Sequence, residues 1–168
     1  LNLKKFLTVS LKTMMHIIAH LLECAELRDS IIPNYHGEDV GVFTLLMLKY
    51  YNELADKETI KAKKENTDWA DVYSYYGEMA DDVRKLNEPK TVTDEVDPKV
   101  LENKWQEIRE IIHSIPSYDE VYYAMKMAGC KLTVEDIGKS QELVDSCIKY
   151  SPYMRYRLTL LRLRGMIE

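Results

Sequence analysis

Three of the four histidines of this 168-residue chain fall in one short stretch, HIIAHLLECAELRDSIIPNYHGE at residues 16–38. Neutral imidazole is a common ligand for zinc, nickel, copper and iron, and a catalytic cation normally takes a third protein ligand and keeps one position open. His16 and His20 stand four apart, so on a helix they share a face and can reach one cavity. From His16 to a helix end near Arg28 is roughly 18 Å at 1.5 Å per residue. The next eight residues extend to about 26 Å, enough to return His36 to the side of His16. His-x-x-x-His is also the spacing of zinc peptidases, but Ile17 stands where that chemistry needs a glutamate base. Histidines on a mostly apolar helix are more often hydrogen-bonded packing or surface residues than ligands, so spacing permits a shared site without requiring it.

The elements that must position these rings read as helices. Leu3, Phe6, Leu7 and Leu11, then Met14, Ile17, Ile18, Leu21 and Leu22, recur at three- and four-residue steps. Arg28-Asp29-Ser30 and Pro33-Asn34 interrupt that pattern, because proline lacks a donor and disfavours helix at the residue before it. A second, almost wholly apolar helix is expected from near Gly37 through Ala55, central in the core. Residues 56–66 are charged and solvated, continuing as helix or breaking near Lys57. Asp68 precedes an amphipathic segment, WADVYSYYGEMADDVRKL, which Asn87 and Pro89 close. Residues 87–98 are expected to be the least structured. Asp97-Pro98 has the form of an N-cap followed by proline at the first helical position, opening a helix that stops at Pro116. Ser117 caps a short helix ending at Gly129. Thr133 to Asp136 forms a capping box for a helix to about Tyr150, and Pro152 allows a last helix over 153–163. No alternating strand pattern and no solenoid repeat is present. The expected architecture is all-α, a multi-helix bundle forming one domain over residues 1–168.

Composition narrows the function classes. A chain of this length with 46% hydrophobic residues can bury a sizeable core. A net charge of -5 and a pI near 5.5 oppose general attraction to nucleic acid or to an anionic membrane. No apolar run approaches the roughly 20 residues of a membrane span, and no secretory signal opens the chain, so a cytoplasmic protein is expected. Cys24, Cys130 and Cys147 are odd in number and far apart, which indicates neither a disulfide framework nor a thiolate zinc knuckle.

HGEDVGVFTLL, from His36, resembles a signature of the metal-dependent polyol dehydrogenase group that includes glycerol dehydrogenase, sn-glycerol-1-phosphate dehydrogenase and, more distantly, 3-dehydroquinate synthase. HIIAHLLE is similar to the His-x-x-x-His of an earlier helix in that group, and AGCKLTVEDIG with YMRYRLTLLRL is similar to the closing helices of the glycerol-1-phosphate branch. The resemblance runs from about residue 10 to the end. It implies that His16 and His36 are metal ligands, that His20 contacts substrate, and that the chain is the C-terminal helical half of an enzyme whose nucleotide-binding α/β half precedes it. The implied cofactors are a divalent metal, zinc before nickel or iron, and NAD(P) on that other half. The implied partners are a small polyol or polyol phosphate and the N-terminal domain. Oligomeric state stays open, a homo-oligomer included. Thr13-Met14-Met15 and Ala19 depart from the group, which places a small-residue loop and a serine there. The group's third ligand, an aspartate, belongs to the N-terminal half.

Glu38 is assigned a supporting place, fixing a histidine tautomer or capping the helix N-terminus. Arg155, Arg157, Arg162 and Arg164 form no single basic stripe at 100° per residue, so surface pairing and complementing the helix dipole are expected of them. The tyrosines of DVYSYY, Trp69 and Trp105 read as core, His113 as a dipole-complementing residue and TDEVD as a solvated loop. A different class of function also fits: a helical interaction module that keeps the dehydrogenase-like fold without its chemistry.

Overall fold

The computed structural model describes the backbone of residues 3–168 and the side chains of residues 13–168. The first helix, α1 (Leu3–Arg28), and the second, α2 (His36–Ala55), form a hairpin. No proline or glycine interrupts residues 3–28, and among its described side chains Met14, Met15, Ile18, Ala19, Leu21, Leu22 and Ala25 are buried. That apolar stripe leaves positions 16, 20 and 23 together on the opposite side. The hairpin turn begins with Ser30 at φ 58, a left-handed conformation that reverses the chain. In α2, Val42, Phe43, Leu45, Met47, Leu48, Tyr51 and Leu54 are all buried, as befits a central helix.

The helix α3 (Trp69–Tyr76) starts where Asp68 accepts a hydrogen bond from the Asp71 amide. The single helix expected over 69–86 is broken. Gly77, at φ 54 and ψ -118, takes a backbone conformation that side chains with a Cβ resist, and a 3-10 turn separates α3 from α4 (Ala80–Asn87). Residues 87–98 are more ordered than expected: Thr91 and Asp94 form a capping box on a 3-10 turn, and Thr91, Val92 and Thr93 are buried. The TDEVD run is therefore solvated only in part.

Asp97 caps α5 (Pro98–Asn103) as expected, but the helix divides at Lys104 before α6 (Trp105–His113). The break lets Trp105 enter the core and donate to the Lys57 carbonyl at 2.7 Å. The helix α7 (Tyr118–Met127) is capped by Ser117 as expected, in a reciprocal box with Glu120, and ends before Gly129 at φ 72. The Thr133–Asp136 box makes its reciprocal hydrogen bonds, but only a turn follows; Gly138, at φ 67, ends it, and Ser140 caps α8 (Gln141–Tyr150) afresh.

The last expected helix contracts to α9 (Leu160–Leu163), capped by Thr159. This shortening allows residues 158–168 to return across the molecule and bury Leu160, Leu161, Leu163 and Met166. The end of the chain then meets residues 61–63. Lys63 donates to Met166, Glu168 donates to Lys61, and Ala62 and Ile167 form an isolated antiparallel bridge. Among the described residues there is no strand, and no helix is long and apolar enough to cross a membrane. The all-α expectation therefore stands.

The arginines separate. Arg155, Arg157 and Arg164 are exposed, whereas Arg162 is only 2% exposed, against the surface role expected of it. Its Nη2 donates to Thr91 Oγ1 at 2.6 Å and pairs with Glu65 Oε2 at 3.1 Å, and its guanidinium lies 4.1 Å from the Tyr153 ring centre. Trp105, Tyr73 and Tyr76 are core residues. His113 closes α6 at the surface. Cys24, Cys130 and Cys147 are all unpaired thiols.

Candidate metal centre

The hairpin brings the three histidines together. His36 is the first residue of α2, and the preceding turn sets it against the polar stripe of α1. Its ring centre lies 5.4 Å from that of His16 and 4.8 Å from that of His20, with which it stacks. His16 and His20 are exposed; His36 is half-buried.

A fourth residue, absent from the sequence reading, binds the group together. Glu23 Oε1 lies 2.6 Å from His36 Nδ1, and Glu23 Oε2 lies 3.1 Å from His20 Nδ1. Burial pushes the Glu23 carboxyl up, but hydrogen bonds from His36 and His20, with the charge of both rings, together hold it below the ordinary carboxylate value. An ionised carboxylate accepts only, so both imidazoles donate from Nδ1. One signal for Glu23 lay in the sequence: positions 16, 20 and 23 follow the i, i+4, i+7 rule that puts three residues on one helix face. Glu38 occupies the first turn of α2 with Asp39, where a negative charge complements the helix dipole. The carboxylate that hydrogen-bonds His20 and His36 is that of Glu23.

The donor chemistry fits a transition metal. Candidate ligand atoms of His20, Glu23 and His36 lie within 4.8 Å of one another. Bonds of about 2.0–2.1 Å to a tetrahedral zinc place ligand atoms roughly 3.4 Å apart, a spacing within the spread of this cluster. Imidazole suits zinc, nickel and iron alike. Met14, Met15 and Ala19, which depart from the resembled family, are packing residues on the buried side of α1.

The chain matches no protein-family model, no curated protein and no solved structure. The histidine cluster and its surroundings therefore carry the functional reading.

One helical turn further along the hairpin lies a second polar layer. Glu26 of α1 and Asp39 of α2 are 1% and 0% exposed, and Lys139 pairs with Glu26 from the turn before α8. Asn34 ties this layer to the hairpin turn: its Nδ2 donates to the Ile137 carbonyl at 2.7 Å and to Asp39 Oδ1 at 3.3 Å. Glu26 Oε2 and Asp39 Oδ2 are buried without a hydrogen bond among the described residues.

Burial, joined by the Glu26 charge, raises the Asp39 carboxyl above its ordinary value of 3.8 against the opposing hydrogen bond from Asn34. The folded state therefore holds this proton more tightly than the unfolded chain. Stability falls as pH rises from about 3.8 through the folded value, and the cost is complete only above that value. Asp39→Asn, which cannot ionise, is expected to raise the melting temperature at pH 7 and to leave it unchanged near pH 3. Calorimetry at the two pH values checks this, and an equal shift at both would refute the titration argument.

Proposed function

We propose that this chain is the metal- and substrate-binding helical half of a cytoplasmic, NAD(P)-dependent polyol or polyol-phosphate dehydrogenase. The observation that carries the reading is the meeting of His16, His20 and His36 at one end of the α1–α2 hairpin. In this reading His16 and His36 hold the cation and His20 orients the substrate hydroxyl. The bound metal, zinc before nickel or iron, supplies Lewis acidity that eases ionisation of that hydroxyl near neutral pH. NAD(P) belongs to the N-terminal nucleotide-binding domain that the resemblance implies.

The surroundings support a site completed by another domain. His16 and His20 are exposed, and the adjoining hairpin turn presents Ile32 at 90% and Tyr35 at 84% exposure. Ligand sites are common where two domains meet. The same exposed apolar residues favour a second reading, in which the hairpin docks a partner and performs no chemistry.

Metal analysis of the purified chain tests the first reading. His16→Ala and His36→Ala are each expected to abolish bound metal while the far-ultraviolet circular dichroism stays unchanged. Undiminished metal in both variants rejects the assignment. NAD(P)-linked oxidation of glycerol or glycerol-1-phosphate by the full-length protein then separates the dehydrogenase from the docking module.

A further inference from the structure

We infer that Glu23 is the positioning carboxylate of the histidine cluster, accepting from Nδ1 of both His36 and His20 so that His36 presents Nε2 to the cation and His20 presents Nε2 to the substrate. The cation rests on the reading proposed above; the hydrogen-bond arrangement does not.

A neutral imidazole carries one N–H and one lone pair, and only the lone pair can bind a metal. The two tautomers of a free ring exchange, so the lone pair has no fixed address. A carboxylate that accepts from one nitrogen fixes the proton there and leaves the other nitrogen as the ligand. Glu23 has two oxygens and uses one for each ring, at 2.6 Å to His36 and 3.1 Å to His20. Neither contact excludes the other. Glu23 follows His20 by one helical turn on the same face of α1, while His36 approaches from α2, so one side chain sets rings on two elements.

Direct ligation by Glu23 is the competing use. Two ligands of one tetrahedral zinc stand roughly 3.4 Å apart, and the 2.6 Å between Glu23 Oε1 and His36 Nδ1 is too short for both atoms to hold the same ion. That distance is a charge-assisted hydrogen bond. Glu23 therefore acts through the rings.

Nitrogen-15 imidazole spectra of the 168-residue chain, recorded without added metal at a pH where the rings are neutral, test the assignment directly. Wild type is expected to show His20 and His36 as Nδ1–H tautomers. Glu23→Ala should return both rings to tautomer mixtures, and Glu23→Gln, with one acceptor oxygen, should release one of them. Zinc affinity is then expected to fall about 10–100-fold in Glu23→Ala, with circular dichroism unchanged. Wild-type rings in mixed tautomers, or a Glu23→Ala variant with unaltered tautomers, overturn the inference. Full zinc affinity in Glu23→Ala overturns it as well. A wild type that keeps both Nδ1–H tautomers but binds no zinc supports the role of Glu23 and refutes the metal centre of the proposed function.

Discussion

Lys139→Met is expected to destabilise the fold by about 3–5 kcal/mol, because it leaves a buried carboxylate without its cation. Glu26 is 1% exposed, its other oxygen has no hydrogen bond among the described residues, and the Asp39 carboxyl lies in the same layer. Methionine matches the aliphatic stem of lysine in length, so the loss measures the charge rather than a cavity. Urea unfolding would read the effect, with a melting shift of roughly 2–4 °C per kcal/mol for a chain of this size. The double variant Lys139→Met/Glu26→Gln should recover most of the loss, since the stranded charge is then gone. A single variant within about 0.5 kcal/mol of wild type would show that the pair is not buried as described. Because the Lys139 turn also receives the Asn34 hydrogen bond, the cost of this variant extends to the hairpin that carries His36.

Arg162→Met is expected to cost a similar amount, about 3–5 kcal/mol, at a second buried pair. The Arg162 and Glu65 side chains are 1% and 6% exposed, and removing the guanidinium leaves Glu65 with the Thr93 hydroxyl as its remaining donor among the described residues. The contact with the Tyr153 ring disappears with it. Arg162→Lys should not restore the full loss, because a lysine ammonium supplies a charge for Glu65 but not the planar group that lies 4.1 Å from the Tyr153 ring centre. Arg164→Gln, an exposed neighbour, is the control and should remain within about 0.5 kcal/mol of wild type. Equal effects at 162 and 164 would contradict the burial of Arg162.

Much of the helical architecture was legible residue by residue. Asp97 and Ser117 cap the helices expected of them, the helix expected after Asp68 begins there, and the bounds of α1 and α2 follow from periodicity and from Pro33. The breaks at Gly77 and Lys104 were not legible. In both places the amphipathic pattern runs on unbroken; the break at Lys104 goes with the burial of Trp105 against Lys57, and that at Gly77 with the positive φ of the glycine. The Thr133 box shows the same limit from the other side: its hydrogen bonds form, but the helix they would start does not continue.

The site divides in the same way. That His16, His20 and His36 could meet followed from helical spacing and the reach of a short turn. That Glu23 joins them did not, because its partner His36 is 13 residues away and lies on another helix.

The sequence by itself determined the helical class, the caps and the shared face of His16 and His20, because these depend on steric and hydrogen-bonding rules that act within about four residues. Only the tertiary structure decided which charges leave water. Glu26 meets Lys139 across 113 residues and Arg162 meets Glu65 from the far end of the chain, and such pairs form where the packing of separate elements makes desolvation unavoidable.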